Sequence, residues 1–109
     1  MIASHVLLAL ALTAVDGVVT QEPHQNHWAV DIACPRGAVV RAVFDGETRV
    51  HRDGRLGTQI TLVGEHRRAL YAHLEAANEP ATVKKGDPIG VCGNTGSWST
   101  GRHLHFEVY

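Results

Sequence analysis

The stretch Gly101-Arg102-His103-Leu104-His105-Phe106-Glu107-Val108-Tyr109 alternates between polar and apolar side chains. Two histidines and a glutamate share one parity, and three large apolar residues occupy the other. A period of two predicts a β-strand with one face in the core. Both imidazoles then project from the same face, roughly 7 Å apart along the strand. Taken alone, His-x-His is a weak indication of function, because a surface strand can carry two histidines without any role.

The remainder of the chain also predicts short strands separated by turns. Further strands are expected over residues 18–20, 27–34, 38–44, 47–51, 58–63 and 69–75. Asp45-Gly46 predicts a hairpin between two of them, and 11 glycines are consistent with many turns. No long helical period follows the N-terminal run. The sequence therefore predicts an all-β antiparallel domain, either a sandwich or a half-barrel.

Composition limits the classes of function. The chain has 109 residues, 44% of them apolar, which suits one globular domain. Its 10 basic and 11 acidic side chains give a formal net charge of −1. No basic stripe indicates a nucleic-acid partner, and no polybasic run indicates an anionic membrane. We expect a monomer.

The N-terminal segment is the one apolar run without strand character. Residues 6–15 are apolar or small except Thr13. This length suits the hydrophobic part of a signal peptide and is too short for a bilayer span. Residues 1–5 lack the Lys or Arg that export signals normally carry, so a buried helix or strand is the alternative. We divide the chain into residues 1–15, a signal-like or truncated N-terminal segment, and a domain over residues 16–109.

The two cysteines, Cys34 and Cys92, lack Cys-x-x-Cys spacing and are not half of a zinc knuckle. Strand parity places Cys34 with the core face of its segment. In a secreted protein the pair could form one disulfide, although pairing cannot be deduced from sequence. Free, packed thiols are the favoured interpretation.

Eight histidines are the compositional feature that points to chemistry. His27 and Asp31 share a parity with only a small alanine between them, and His73 lies on another predicted strand with the parity of Tyr71 and Glu75. Two imidazoles and one carboxylate are typical ligands of hydrolytic zinc, which keeps an open position for water. Further histidines beside such an ion can move protons. Three separate strands thus each offer histidine on a polar face.

Three motifs resemble the signatures of a known family. They are His27-x-x-x-Asp31, Tyr71-Ala72-His73-Leu74 and Gly101-x-His103-Leu104-His105-Phe106-Glu107, and they resemble those of lysostaphin-like, LytM-type zinc metallopeptidases. The intervening segments over residues 83–90 and 93–96 occur in the order and spacing of that family. The resemblance covers residues 16–109. Each motif alone is weak, whereas the ordered set is specific.

The resemblance implies an all-β peptidase of the duplicated hybrid motif fold. His27, Asp31 and His105 would hold one zinc ion per chain, and His73 and His103 would be catalytic. The expected substrates are stem peptides or cross-bridges of bacterial peptidoglycan. The expected location is secreted, periplasmic or cell-wall associated, or that of a phage-borne lysin.

Two positions depart from the family pattern. Arg102 stands where proline is common, and Ala29 replaces a common glycine. Other residues near the motifs stay open: Glu75 and Glu107 are either hydrogen-bond acceptors behind site histidines or solvated carboxylates. Trp98 and Tyr71 are either groove or packing residues. His24, His51 and His66 are expected at the surface.

Three other functions are alternatives. A non-catalytic LytM-type module that binds the wall or activates other hydrolases would lack ligands, yet all five side chains are present. A biotinyl or lipoyl carrier would need a lysine between methionines, and the sole methionine is Met1. A structural zinc site would want four closed ligands, often including cysteine.

Overall fold

The computed structural model describes residues 2–109, which form one helix and ten strands. In chain order the elements are α1 (Ser4–Ala14), β1 (Val18–Gln21), β2 (Val30–Ala33), β3 (Val39–Arg41), β4 (Gly46–Asp53), β5 (Gly57–Val63), β6 (Arg68–Leu74), β7 (Ala76–Ala77), β8 (Thr82–Val83), β9 (Pro88–Val91) and β10 (His103–Val108). All strand pairs are antiparallel. The predicted antiparallel β class is confirmed.

Strand β10 is an interior strand of the larger sheet, with β2 and β6 as its neighbours. That sheet has seven strands in the order β1-β2-β10-β6-β5-β4-β8, and a second sheet has the order β3-β9-β7. The apolar side chains of β10, Leu104, Phe106 and Val108, are fully buried. The polar face predicted from its alternation is therefore fixed on the opposite side of the sheet.

Tyr71 of β6 is a packing residue. Its ring is fully buried and meets the ring of Phe106 edge-on, with centroids 5.2 Å apart. Its hydroxyl accepts a hydrogen bond from the backbone N–H of Val43 at 3.0 Å. The hydroxyl thus satisfies a buried donor, as buried tyrosines usually do, and this resolves the choice between groove and core.

Helix α1 packs on the core. Its sequence is rich in Leu and Ala, which are strong helix formers, and Leu7, Ala11 and Ala14 are fully buried. It contacts β2, β3 and β10. The buried-helix alternative thus describes residues 4–14, while Met1 lies outside the described residues. Division of the chain at residue 15 stays a prediction. Within residues 2–109, no helix combines the length and apolarity that a membrane crossing needs.

The hairpin predicted at Asp45-Gly46 is wrong. Strands β3 and β4 belong to different sheets: β3 pairs with β9, and β4 pairs with β5 and β8. The glycine is needed for a different reason, since a Cβ at Gly46 would collide with the carbonyl of Val63 on the neighbouring strand. Close backbone approach, and not a tight turn, explains this Gly.

Cys34 and Cys92 form a disulfide, which corrects the expectation of free thiols. Cys34 follows β2 and Cys92 follows β9, so the bond ties the larger sheet to the smaller one. Both residues are buried in the core, as parity predicted for Cys34. The pairing depends on contact between the two sheets, which local sequence does not reveal.

Replacing both cysteines with alanine should lower the free energy of unfolding by about 4 kcal/mol, because the bond closes a long loop and restricts the unfolded chain. The two cysteines are 58 residues apart. Urea unfolding followed by tryptophan fluorescence measures the change. The unsubstituted protein under a reductant is the control and should match the double variant. Equal midpoints for the oxidised protein and the variant would contradict this prediction.

Candidate functional site

Antiparallel pairing of β2 with β10 brings Asp31 and His105, which are 74 residues apart in the sequence, together at the site. In that register Asp31 lies directly opposite His105, and His105 Nδ1 is 3.1 Å from Asp31 Oδ1. His27 lies before β2, in a short turn bridged to His24, and its Nε2 is 3.4 Å from Asp31 Oδ2. His27, Asp31 and His105 each offer a ligand atom, and these atoms lie within 4.8 Å of one another.

This donor set fits a divalent cation. Two neutral imidazoles and one carboxylate would leave such an ion with net positive charge, and three protein ligands match the open sites of hydrolytic zinc. Asp31 is buried and lies between the two histidines, so its carboxylate contacts both. The three side chains predicted as ligands are thus brought together as the motif spacing requires.

His73 breaks the regular alternation of β6. Its φ is +63°, in the left-handed region that non-glycine residues seldom adopt. Backbone bonds hold it there: its N–H donates to the Leu56 carbonyl at 2.9 Å, and its carbonyl accepts from Thr95 N–H at 3.4 Å. The break turns the imidazole to the groove while Tyr71, of the same parity, points into the core. A strained backbone maintained in this way is common at functional sites.

The rings of His73 and His103 are held in the same manner. His73 Nδ1 lies 2.7 Å from the Thr95 carbonyl, and His103 Nδ1 lies 2.7 Å from the Gly101 carbonyl. A carbonyl only accepts, so Nδ1 carries the hydrogen in each ring. In the neutral form Nε2 of each ring then carries the lone pair. The sequence could not reveal this tautomer, since both acceptors belong to loop backbone.

Four imidazoles meet above the polar face of the sheet. The ring centroid of His73 lies 4.9 Å from that of His103 and 5.9 Å from that of His105. The ring centroids of His27 and His105 are 5.5 Å apart. All four line one open cavity of about 460 Å³. A second cavity of about 330 Å³ shares His103 and Asp31 with it. The candidate ligands and both predicted catalytic histidines therefore lie in one continuous groove.

Burial and hydrogen bonds set the charges of this cluster. Burial acts to raise the pKa of Asp31, but the hydrogen bond with His105 and the nearby imidazoles outweigh it, so this pKa lies below its usual range. Burial acts to lower the pKa of His105, yet its bonds with Asp31 and Glu107 prevail and raise it to about 9. Burial lowers the pKa of His73, against the effect of its Thr95 bond. His73 therefore favours its neutral, proton-accepting form.

One wall of the groove is made by the 93–101 loop and the tip of the β4–β5 hairpin. The backbone N–H of Trp98 donates to the Arg55 carbonyl at 3.1 Å, and the Arg55 guanidinium lies 5.2 Å from the centre of the Trp98 ring. Gly96 has φ +90° where the two segments touch, and a Cβ there would collide with Arg55 backbone. Trp98 is 61% exposed and lines both cavities, so it is a groove residue.

The remaining candidate residues are either exposed at the surface or in contact with the site. His24, His51 and His66 are exposed, as expected. Glu75 is exposed and pairs with Arg102 at 3.5 Å, whereas the Glu107 carboxylate contacts His105. Sequence reasoning missed several groove residues that no motif spacing marks. These are Gln21, Asn26 and Leu56.

The sequence of this chain is similar to those of known proteins. The model of peptidase family M23 matches residues 25–109. DD-carboxypeptidase/endopeptidase Mpg of Neisseria meningitidis serogroup B is 40% identical over 85 residues, 75% of this chain and 20% of that protein. Glycyl-glycine endopeptidase ALE-1 of Staphylococcus capitis is 40% identical over 91 residues, 75% of this chain and 24% of that protein.

Solved structures agree with the sequence relatives. The crystal structure of a zinc containing peptidase from Vibrio cholerae has a TM-score of 0.77 and 29% identity, with 88% of this chain and 35% of that chain covered. The chain thus spans about a fifth to a quarter of the length of the two curated relatives that it matches.

Proposed function

Because the chain belongs to peptidase family M23, we propose that it is a zinc metalloendopeptidase that hydrolyses peptide bonds in bacterial peptidoglycan. Membership confirms the lysostaphin-like, LytM-type resemblance of the sequence. One observation carries the proposal: the donor atoms of His27, Asp31 and His105 converge in the same groove that His73 and His103 line. A module that only binds the cell wall needs neither a set of metal ligands nor a pair of proton-transfer histidines beside them.

His27, Asp31 and His105 would hold one zinc ion per chain, and the family relative described as a zinc containing peptidase supports this choice of metal. Zinc bound by three ligands supplies Lewis acidity, which acidifies water and polarises a peptide carbonyl. Asp31 contributes the one negative charge of the set. Its two oxygens lie beside His27 Nε2 and His105 Nδ1, so the three candidate donor residues are close together.

His73 and His103 would handle protons. Peptide hydrolysis needs one proton removed from the attacking water and one delivered to the leaving amine. Nε2 of each ring carries a free lone pair because each Nδ1–H is bound to a carbonyl. The lowered pKa of His73 keeps that nitrogen available near neutral pH. These two nitrogens share the two proton transfers.

The groove suits an extended peptide. It is open at the surface, and Trp28, Leu56 and Trp98 supply apolar walls between the polar site residues. The substrate class follows from the relatives, which are described as a DD-carboxypeptidase/endopeptidase and a glycyl-glycine endopeptidase. Stem peptides and glycine cross-bridges are both within this class, and we propose the peptide part of peptidoglycan as substrate.

We also propose that the protein acts outside the cytoplasm, in the periplasm, at the cell wall or as a phage-borne lysin. The disulfide between Cys34 and Cys92 supports this location, because such bonds persist in oxidising compartments. The expected monomer stays a prediction.

A digest of purified peptidoglycan tests the function. The zinc-loaded protein is incubated with walls that carry direct or glycine cross-links, with and without a chelator, and products are read by mass spectrometry. We expect new peptide termini that disappear with chelator and return when zinc is restored. Folded, zinc-loaded protein that leaves every wall type intact would reject the endopeptidase and favour a wall-binding or hydrolase-activating module.

A further inference from the structure

Glu107 lies behind the candidate metal site on the same strand as His105. The two residues are separated by one position, so the pleat of β10 places both side chains on the groove face. Their side chains are only 18% and 17% exposed. A carboxylate so far removed from solvent requires a partner.

That partner is the ring of His105. Its Nε2–H donates to Glu107 Oε2 at 2.7 Å, while the other ring nitrogen, Nδ1, lies 3.1 Å from Asp31. With Nε2 engaged by Glu107, Nδ1 is the nitrogen that faces the remaining ligands. The second oxygen of Glu107 accepts a hydrogen bond from the Tyr109 hydroxyl. Both carboxylate oxygens are therefore held in place.

Other carboxylates near the site have different partners. Glu75 is exposed and pairs with Arg102. Within the part of the chain that the structure describes, Glu107 instead pairs with His105. This difference separates the two glutamates that strand parity alone left equivalent, and it excludes an ordinary surface salt bridge as the role of Glu107.

We propose that Glu107 is a positioning residue that fixes the Nε2–H tautomer and the orientation of His105, so that Nδ1 is the metal donor. The inference rests on the metal site of the proposed function. A hydrogen-bonded carboxylate behind a histidine ligand raises the basicity of the ring and limits its rotation. The role proposed for Glu107 acts through the ring of His105.

Zinc affinity of Glu107→Gln and Glu107→Ala tests this role, measured by competition with a chromophoric chelator. Loss of such a partner typically weakens metal binding about 10- to 100-fold. We expect Glu107→Ala to reach this range and Glu107→Gln, which keeps the shape and a neutral acceptor, to fall about 10-fold. Glu47→Gln, the same change at an exposed strand position, is the matched control and should bind zinc normally.

The tautomer provides a readout independent of activity. Long-range proton–nitrogen NMR of the zinc-loaded protein should give a protected Nε2 proton on His105 that exchanges rapidly in Glu107→Ala. Wild-type zinc affinity in Glu107→Gln would overturn the proposal, since a packing role alone predicts that result. Zinc binding without peptidoglycan cleavage by the unsubstituted protein would instead reject the proposed function and leave the affinity comparison decisive for Glu107.

Discussion

Replacing His105 with alanine should abolish both tight zinc binding and hydrolysis. Apparent zinc binding free energies of about 10–16 kcal/mol, shared among three ligands, correspond to roughly 3–5 kcal/mol each, so affinity should fall by roughly 10²- to 10⁴-fold. The change also leaves Asp31 and Glu107 without the ring that both contact. Dialysis against buffered zinc with metal analysis measures occupancy, and the wall digest measures turnover.

His66→Ala is the matched control for this variant. The side chain of His66 is 84% exposed, so zinc binding and turnover should be unchanged. Full zinc occupancy in His105→Ala would refute the assignment of His105 as a ligand. Circular dichroism of the two variants separates loss of a ligand from loss of the fold.

Replacing His73 with asparagine should keep zinc but remove most turnover. Asparagine tolerates the left-handed backbone at this position, and its side-chain amide can donate to the Thr95 carbonyl as Nδ1 does now. The asparagine side chain has no counterpart of the distal ring nitrogen, Nε2, which carries the lone pair in His73. Loss of a proton-transfer group typically costs about 10²- to 10⁴-fold in rate, and we expect kcat to fall by that amount with little change in KM.

His73→Ala should lose turnover to the same degree and some stability as well, because alanine tolerates the backbone less and cannot bond Thr95. Unchanged rates in both variants would assign His73 a structural role. Loss of zinc from His73→Asn would instead make it a ligand. Steady-state kinetics on a soluble peptide substrate, with metal analysis of the same samples, distinguishes these results.

Much of the fold and of the site could be predicted from local pattern. The alternation of His103 to Val108 determined both faces of β10, since the period of a strand is a property of its own residues. The ordered motifs located His27, Asp31, His73, His103 and His105 in one groove. Motif order succeeds here because pairing of β2, β10 and β6 brings those positions together.

The errors share a physical cause, which is dependence on distant partners. Tyr71 and His73 have one parity but point to opposite sides, because backbone bonds to Leu56 and Thr95 impose the left-handed turn at His73. Asp45-Gly46 has the composition of a hairpin turn, yet its glycine is required by contact with the neighbouring strand. Pairing of the cysteines likewise depends on which sheets meet.

The interior position of β10 in the larger sheet has a consequence for the protein during its synthesis. Strands β2 and β6 both pair with β10, which follows every other described strand in the chain. A ribosome-bound chain that has not yet exposed residues 103–108 lacks the proposed ligand His105 and the proposed proton-transfer residue His103, and it presents two unpaired strand edges. Such edges favour aggregation. Until residues 103–108 are available, the edges of β2 and β6 therefore stay open to pairing with other strands.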